Sequence, residues 1–313
     1  MSEEQKNTPS HVAILLCTYN GENYLREQID SFYTQTHQDW SLHVSDDGSS
    51  DQTIPLIESY KAKEPNHSIT IHNGPRKGFC RNFLSLITRS TIKADYYAFC
   101  DQDDIWFNEK IERGVSWLET VPSDIPALYC TTTTLTDSAG KPIETPPAYT
   151  KPPSFQNALT QNITSGNTMI MNDAARNLLM HFQEADLPAH DWFTYILVTG
   201  AGGQVQYDTA PSIYYRQHGG NVIGIQTGLK SNIDRAKRLL GNRYKNWITQ
   251  NLKALKQHQT LLTQDNAATV DNLIIARKAP LFKRISRFRH LGLYRQTVTG
   301  TLALWFLIIF KKI

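Results

Sequence analysis

The sequence lacks several features that would place it in common protein classes. No segment is low in complexity and 40% of the 313 residues are hydrophobic, which excludes a disordered chain. No Gly-x-Gly-x-x-Gly motif follows the first apolar run, which argues against a dinucleotide-dependent oxidoreductase. The apolar run at residues 301–310 has ten residues, and about 20 are needed to span a bilayer. That run therefore cannot cross a membrane alone.

Cysteine is scarce as well. The four cysteines are widely spaced and no two form a Cys-x-x-Cys pair, so we expect reduced thiols in the core rather than disulfides. They are Cys17, Cys80, Cys100 and Cys130. The first ten residues are polar and contain no hydrophobic region of a secretory signal, so we expect a cytoplasmic protein.

Acidic residues are nearly missing from the last part of the chain. Residues 228–313 carry 17 lysines and arginines against three acids, Asp234, Asp265 and Asp271, a net charge of +14. The remaining 227 residues carry 15 basic and 26 acidic side chains, a net charge of −11. The sequence is thus divided into an acidic body and a basic tail.

Strand-like and helix-like segments alternate along the first two thirds of the chain, which predicts an α/β fold. HVAILLCTYN, residues 11–20, is typical of a buried parallel strand. Further strands are predicted at 40–45, 68–74 and 94–100, with helices at 21–36, 53–63 and 78–90. This order predicts a Rossmann-like, mostly parallel sheet, in which ligands bind at the carboxyl ends of the strands. The polar segments at such ends are Thr18–Asn20, Asp46–Asp47 and Asp101–Asp104.

In the second half of the chain, predicted strands and helices alternate less regularly. Residues 123–165 are rich in threonine and proline and predict a strand followed by a mobile loop. Residues 167–172 predict a strand, 173–182 and 190–203 predict helices, and 204–221 predict two short strands and a loop. Basic helices are expected at 230–263 and 265–278.

Three aspartates, Asp101, Asp103 and Asp104, stand within four positions in FCDQDDIW. Carboxylates at i and i+2 on a loop commonly hold Mg²⁺ or Mn²⁺, while the other metal positions take water and phosphate oxygens. Alternatively, these are solvated loop acids, one of which caps a helix that begins near Asn108. Their position at the end of an apolar strand favours the metal.

Five segments together resemble a known family. CTYNGENYL, VSDDGSSDQT and FCDQDDIW, in this order and at these intervals, resemble the family 2 glycosyltransferases of the GT-A fold. HDW and YYRQHGGNV resemble the rhamnosyltransferase branch of bacterial polysaccharide assembly. The resemblance covers residues 11–224. It implies an inverting enzyme that moves one sugar from a dTDP- or UDP-sugar, with dTDP-rhamnose expected, to a lipid-linked or polysaccharide acceptor.

The resemblance also implies a domain organisation. Residues 1–227 would form the GT-A catalytic domain, with a nucleotide-binding half at 11–122 and an acceptor half at 123–227. Residues 228–313 would form a basic helical extension with an apolar C-terminal segment.

The resemblance assigns the nucleotide pocket to the first three strand ends. Thr18, Tyr19 and Asn20 would line the pocket, with the Tyr19 ring facing the base. Asp47 would accept a hydrogen bond from the base imide N–H, and Asp46 would support the loop. Ordinary turn chemistry is the alternative for the two aspartates, since Asp-Gly favours turns without a ligand.

Cationic side chains would neutralise the donor diphosphate. Arg76 and Arg81 flank Gly78, and solvation at the surface is the alternative for each of them. Arg216 of the YYRQH segment would pair with phosphate. Asp101 would contact the ribose or metal-bound water.

The resemblance further implies a metal and a base. Asp103 would be the principal ligand of Mn²⁺ or Mg²⁺, His218 a further ligand, and Asp101 is a candidate ligand. Asp191 of HDW would take the proton of the acceptor hydroxyl, with His190 helping to orient it. The alternative for Asp191 is an ordinary acid in the first turn of a helix.

Other functions remain as alternatives. The family's late motif often ends in Arg-Trp, whereas Arg216-Gln217-His218 stands here, which argues against processive synthases. A nucleotidyltransferase would carry a glycine-rich, basic phosphate loop after the first strand, and TYNGENYL has one glycine followed by Arg26. A degenerate nucleotide-sugar-binding protein is the third possibility, against which the intact Asp47, Asp103 and Asp191 argue.

The basic tail predicts a membrane surface as a partner. Basic residues beside tryptophan and phenylalanine in residues 280–313 suit a segment that lies on an anionic leaflet, at the inner face of the cell membrane. A core helix packed on the catalytic domain and a homodimer interface are the alternatives. Nucleic acid is not expected, because the tail has no recognition module.

Overall fold

The computed structural model describes residues 10–63, 66–218 and 242–313, which form two sheets and a set of helices. The strands are β1 (Val12–Thr18), β2 (Trp40–Asp46), β3 (Ile69–Asn73), β4 (Tyr96–Cys100), β5 (Ile105–Trp106), β6 (Ala127–Thr131), β7 (Thr134–Thr136), β8 (Pro142–Glu144), β9 (Ile170–Asn172), β10 (Gln204–Asp208) and β11 (Ile213–Arg216). The helices are α1 (Leu25–Tyr33), α2 (Thr53–Lys63), α3 (Phe79–Ile87), α4 (Lys110–Leu118), α5 (Phe155–Ala158), α6 (Asp173–Leu179), α7 (His190–Gly200), α8 (Arg243–Gln257), α9 (Gln264–Lys278), α10 (Leu281–Leu291) and α11 (Val298–Ile309).

The main sheet has seven strands in the order β10-β6-β9-β4-β1-β2-β3. All neighbours run parallel except β9, which is antiparallel to both β4 and β6. The predicted α/β fold with a mostly parallel sheet is confirmed. The register pairs Thr18 with Asp46 and Leu16 with Cys100, so the carboxyl ends of β1, β2 and β4 lie together.

Strand β1 is buried on both faces, as its continuous apolar sequence predicts. Ala13 and Leu15 belong to a hydrophobic cluster that includes residues of α3 and α7. Ile14 and Leu16 belong to a second cluster, with residues of α1 and α4. Each fully buried leucine of this kind contributes about 1.5–3 kcal/mol to the free energy of unfolding. The strand is therefore a rigid base for the loop that follows Thr18.

A smaller sheet of four strands, in the order β5-β11-β7-β8, includes the strand after the aspartate cluster. Strand β11 pairs with β5, where Tyr214 lies opposite Ile105, and also with β7. This pairing brings the YYRQH segment to the FCDQDDIW loop. The residues that end YYRQHGGNV lie outside the described residues.

Residues 123–165 are more ordered than the sequence predicted. In place of one strand and a loop, this segment holds β6, β7, β8 and α5. Threonine is β-branched and suits strands. However, β7 pairs with the distant β11, and the local sequence could not reveal that partner. The pairing of β7 with β8 is a local hairpin that the prediction missed.

The tail packs partly onto the body. The predicted helices at 230–263 and 265–278 correspond to α8 and α9, and the part at 230–241 lies outside the described residues. Leu304 and Ile308 of α11 are buried in the cluster that also holds Leu15 of β1. In the described ranges, no helix combines the length and the apolar character needed to cross a membrane. The four cysteines are free and buried, as expected.

Candidate active site

The carboxyl ends of β1, β2 and β4 and the first turn of α7 form one acidic site. Thr18, Asp46 and the loop after Cys100 lie at this edge, as the register of the three strands requires. The ring of His190, which precedes Asp191, lies 4.8 Å from the Phe99 ring of β4, centroid to centroid, so the start of α7 adjoins the end of β4. Repulsion by Asp191 contributes to the raised pKa of Asp101. The structure thus brings four of the predicted segments together.

The loop after β1 presents an aromatic ring to solvent. Tyr19 is 59% exposed, and its backbone N–H donates to Gln102 Oε1 at 2.8 Å, while its carbonyl accepts from Gln102 Nε2 at 3.1 Å. Asn20 has a φ of 49°, a left-handed conformation that asparagine tolerates, and its Oδ1 accepts from the Ser50 N–H at 2.9 Å. The loop backbone is held in place while the Tyr19 ring remains accessible.

Asp46 closes the turn that follows β2. Its carboxylate accepts hydrogen bonds from the Thr18 hydroxyl at 2.8 Å and from the Gly48 and Ser49 N–H groups at 3.1 and 2.8 Å. Gly48 has a φ of 103°, which glycine adopts without a steric penalty. The Asp46 carboxylate therefore links the loops after β1 and β2.

Asp47 binds the turn that leads into α3. Its Oδ1 accepts from the Arg76 N–H at 2.6 Å and its Oδ2 from the Gly78 N–H at 2.8 Å. Arg76 and Gly78 both have a positive φ, so this turn is fixed in an unusual conformation. Each carboxylate oxygen keeps a further lone pair that a ligand N–H can use.

The two predicted phosphate-binding arginines before and in α3 differ in their surroundings. Arg76 is exposed and its side chain lies against Gly48, beside the turn after β2. Arg81 donates to the carbonyls of Gln183 and Ala185 at 2.8 and 3.1 Å and forms an ion pair with Glu184. Arg81 therefore supports the loop that leads into α7, and a contact with phosphate would require it to leave that loop.

Asp103 and His218, the two predicted metal ligands, lie next to each other. Asp103 Oδ2 is 2.7 Å from His218 Nε2, although 115 residues separate them in the chain. The imidazole ring also lies 4.7 Å from the Tyr24 ring, centroid to centroid. Burial, then repulsion by Asp103 and Asp191, raises the pKa of Asp101 to about 8.

Asp104 is neither a solvated acid nor a helix cap. It is 1% exposed, and its carboxylate accepts from Asn167 Nδ2 and, at 3.3 Å, from the Arg216 N–H. Burial, together with repulsion by Asp103, raises the pKa of Asp104 well above its usual range. The following helix begins at Lys110. The alternative of a solvated, helix-capping acid is therefore wrong for Asp104, which is buried and is followed by β5 instead of a helix.

Arg216 is buried and makes hydrogen bonds to three segments. Its Nε donates to the Asp103 carbonyl at 3.1 Å, its Nη1 to the Ser138 carbonyl at 3.0 Å and its Nη2 to Glu27 Oε2 at 3.0 Å. The guanidinium carbon also lies 4.8 Å from the Tyr24 ring centroid. In this arrangement Arg216 fixes the backbone at Asp103.

Asp191 lies in the first turn of α7 and faces three donors. Its Oδ2 accepts from Asn162 Nδ2 at 2.9 Å and its Oδ1 from the Trp192 N–H at 2.7 Å, and the Gly166 N–H also contributes. Asn162 is itself oriented by the N–H and hydroxyl of Thr164. Burial raises the pKa of the Asp191 carboxyl and outweighs these hydrogen bonds, which lower it.

His190 packs behind Asp191 and makes no hydrogen bond to it. Its ring stacks on Phe83 with a centroid distance of 3.9 Å, and within the described ranges neither ring nitrogen has a hydrogen-bond partner. Burial lowers the pKa of His190 to about 3, so the ring is uncharged at neutral pH. A Cβ on Gly166 would lie 2.8 Å from His190 Nε2, which explains the glycine there. Asn162, and not His190, orients the acid.

Three polar contacts of the site were not predicted. Gln102 joins the loops after β1 and β4, Asn162 binds Asp191, and Asn167 binds Asp104. Gln102 stands between Asp101 and Asp103, so the sequence could have indicated that it belongs to the site. Asn162 and Asn167 lie in an irregular segment whose sequence gives no indication of its place in the fold.

The donor set suits a hard divalent cation. Asp103 supplies a carboxylate and His218 an imidazole, and Asp101 adds a second carboxylate nearby. Among the described residues no group of three such side chains is already arranged around one point. Two protein ligands fit a metal that takes its other ligands from water and phosphate.

The chain is similar to known glycosyltransferases in sequence. The family model of glycosyl transferase family 2 matches residues 13–179, more than half of the chain. The chain is 28% identical over 275 residues to the dTDP-rhamnosyl transferase RfbG of Shigella flexneri, which covers 83% of this chain and 91% of that protein.

The fold is similar to solved structures of such enzymes. The structure of S. aureus TarS in complex with UDP-GlcNAc aligns with a TM-score of 0.54 at 15% identity, over 91% of this chain and 93% of that one. The structure of GalNAc-T7 with UDP, GalNAc and Mn²⁺ aligns with a TM-score of 0.50 at 9% identity, over 68% and 45%. The architecture is the GT-A fold. The chain belongs to glycosyl transferase family 2 and is a glycosyltransferase.

Proposed function

We propose that this glycosyltransferase is an inverting, metal-dependent enzyme that moves one sugar from a nucleoside diphosphate donor to an acceptor hydroxyl. The observation that carries the proposal is the meeting of Asp103, His218 and Asp101 with Asp191 at one edge of the sheet. Asp103 and Asp191 both repel the Asp101 carboxylate, and this repulsion is unfavourable in the absence of a cation. A cation and a diphosphate would compensate their repulsion.

The nucleotide would bind across the loops after β1 and β2. The exposed Tyr19 ring offers a face for a pyrimidine base, and the free lone pairs of Asp47 can accept from its imide N–H. Thr18 and Asn20 hold the loop in shape, and Asp46 joins it to the next one. An imide N–H occurs in thymine and in uracil, so dTDP and UDP are the fitting carriers. The RfbG relative, named as a dTDP-rhamnosyl transferase, favours dTDP-rhamnose.

A Mn²⁺ or Mg²⁺ ion would be held by Asp103 and His218, with Asp101 as a further ligand or as a contact to the ribose. When bound, it supplies charge that stabilises the leaving diphosphate. Arg216 fixes the Asp103 backbone, and the exposed Arg76 can place positive charge beside the phosphates. The structure of GalNAc-T7, which has a similar fold and contains UDP and Mn²⁺, supports a divalent cation at such a site.

Asp191 would act as the general base. The acceptor oxygen attacks the anomeric carbon, the bond to the diphosphate oxygen breaks, and the hydroxyl proton passes to the Asp191 carboxylate. A single displacement of this kind inverts the anomeric configuration. The raised pKa of Asp191 makes it a stronger base than an exposed carboxylate, and Asn162 keeps it oriented.

The acceptor would be a lipid-linked or polysaccharide hydroxyl at the inner face of the cell membrane. This part of the proposal rests on the basic residues after Asp271, a segment of the sequence that contains no acid. A homodimer formed by the same segment is the alternative.

The test is a transfer assay with dTDP-rhamnose, UDP-glucose and UDP-N-acetylglucosamine, each with Mn²⁺ and with a chelator. We expect hydrolysis or transfer with a dTDP- or UDP-sugar only in the presence of the cation. NMR of the product should show the anomeric configuration opposite to that of the donor. Retention of configuration, or full activity with the chelator, would reject the mechanism. Release of pyrophosphate from dTTP with a sugar phosphate would favour the nucleotidyltransferase instead.

A further inference from the structure

The last helix of the chain is apolar on two opposite sides. Leu304, Leu307 and Ile308 of α11 are buried against the body of the protein. The other side, which we call the apolar ridge, is exposed. It consists of Val298, Leu302, Phe306, Ile309 and Phe310.

The apolar ridge runs along the helix axis. Its residues recur at intervals of three and four, the spacing of one helix face. Leu302 is 64% exposed, Phe306 46% and Phe310 57%, and the Phe306 and Phe310 rings lie 4.4 Å apart, centroid to centroid. Single exposed apolar residues are common on protein surfaces, but a contiguous row of large ones marks an interaction site.

A basic surface adjoins the ridge. Helix α10 packs against α11, and the buried Arg284 donates to the Ile309 carbonyl at 2.9 Å, which joins the two helices at the end of the ridge. Lys283 and Arg287, next to Arg284 in α10, are exposed, and so is Phe282, at 85%. Lys311 extends the ridge with a further exposed cation.

We propose that the apolar ridge of α11 and the exposed cations of α10 form a docking surface for an anionic phospholipid bilayer. Charge complementarity carries the choice of partner. Eight lysines and arginines occur in residues 278–313 and no acid occurs after Asp271, so a second copy would place cations against cations. An anionic leaflet satisfies the cations and takes up the large apolar side chains.

The surface gives the enzyme a direct route to a lipid-linked acceptor, and in this respect the inference rests on the proposed function. The tail is joined to the acceptor side of the site. Tyr244 of α8 and Arg295, between α10 and α11, both donate to the Thr160 carbonyl, at 2.8 and 3.2 Å. Thr160 lies two residues before Asn162, which binds Asp191. The tail that would contact the bilayer is therefore hydrogen-bonded to the segment that orients the proposed base.

The experiment is flotation of the full chain with two kinds of vesicle, phosphatidylcholine alone and phosphatidylcholine with an equal amount of phosphatidylglycerol. We expect binding to the anionic vesicles, weakened by added salt, and at least tenfold weaker binding to the neutral ones. Phe306→Glu should weaken binding to anionic vesicles at least tenfold. Replacing Lys283 and Arg287 by glutamine should weaken it about fivefold for each cation removed.

Ile143→Glu is the matched control, because Ile143 is 59% exposed in β8, outside the tail. It should bind vesicles as the unaltered chain does. Phe306→Glu should still unfold cooperatively with only a modest loss of stability, since 46% of that side chain is exposed. Such a result excludes misfolding as the cause of a loss of vesicle binding.

Unchanged vesicle binding by Phe306→Glu would overturn the proposal, as would equal binding to both kinds of vesicle. A dimer that Phe306→Glu dissociates, without vesicle binding by either form, would assign the ridge to a second copy and overturn it too. Binding of dTDP with Mn²⁺, measured on the same samples, separates the two proposals. If the unaltered chain binds vesicles but not dTDP, the donor site is refuted and the docking surface stands. If it binds dTDP but not anionic vesicles, the docking surface is refuted and the donor site stands.

Discussion

The acidic site at the sheet edge and the basic helices at the C-terminus differ in how their charged side chains are surrounded. In the site, the carboxylates of Asp46 and Asp47 accept hydrogen bonds from protein donors, and the Arg216 guanidinium donates to three acceptors. In α10 most of the cations are exposed, and no acid follows Asp271 in the sequence.

The difference separates charges that hold the site in one geometry from charges that are available to bind another molecule. A buried charge with several hydrogen-bond partners holds its neighbours in one arrangement, because moving it would leave a polar group unsatisfied. Asp101 and Asp104 both have a raised pKa, and Asp101 is the one proposed to contact the cation. Its pKa of about 8 reflects burial and two neighbouring carboxylates, so its ionised form is the one that needs a cation. Asp101 thus resembles the tail in requiring a partner.

The largest effect is expected from Asp191→Asn. The amide keeps the shape of the side chain but cannot take the proton of the acceptor hydroxyl, so kcat should fall by about 10²–10⁴. Binding of dTDP measured by calorimetry should not change, because Asp191 lies outside the nucleotide loops. The exposed Asp265→Asn in the tail is the matched control and should keep full activity. Full transfer by Asp191→Asn would assign the base to another residue.

A smaller effect is expected from Asn162→Ala. The hydrogen bond from Asn162 Nδ2 orients the Asp191 carboxylate and lowers its pKa, so its loss should reduce kcat about tenfold, the size of one hydrogen bond to a charged group. Activity appears as Asp191 ionises with rising pH. The variant should therefore need a higher pH to reach half of its maximal rate.

The shift of the pH profile distinguishes a positioning role from a loss of packing. Thr164→Val, which removes only one of the two donors to Asn162 Oδ1, should shift the profile less than Asn162→Ala does. A fall in kcat with no movement of the profile in either variant would show that Asn162 does not act through Asp191.

The smallest effect concerns stability against pH. In the folded chain the pKa of Asp101 is raised to about 8, so the fold favours the protonated acid. Its contribution to stability is present at low pH and is lost as the pH rises from the usual carboxyl range through about 8. Without divalent cation, the melting temperature should fall over that window, and Mn²⁺ should reduce the fall. An equal fall with and without Mn²⁺ would show that the cation does not compensate Asp101.

Much of the fold could be predicted from the sequence because buried parallel strands leave continuous apolar runs. HVAILLC and YYAFC became β1 and β4, and the polar residues after them reached one edge. The pairing of β7 with β11 could not be predicted, because β11 lies far along the chain. The pairing of β7 with β8 is a local hairpin, which the prediction of a mobile loop missed.

The structure brings together the predicted residues that follow strands, and their roles stay a prediction. Asp103 and His218 were predicted together and lie 2.7 Å apart. The burial of Asp104 was not predicted, since nothing in the local sequence indicates its hydrogen bond with Asn167. Asn162 stands in an irregular segment, so only the folded chain shows that it binds Asp191.

The most direct test of the site is calorimetric titration of dTDP into the unaltered chain and into Asp103→Asn, each with and without Mn²⁺. We expect the cation to strengthen dTDP binding by at least tenfold in the unaltered chain and to have no effect in the variant, because the variant lacks the carboxylate that would hold the cation. Binding of dTDP that is the same with and without Mn²⁺, or a cation effect that persists in Asp103→Asn, would contradict the proposed metal-dependent donor site.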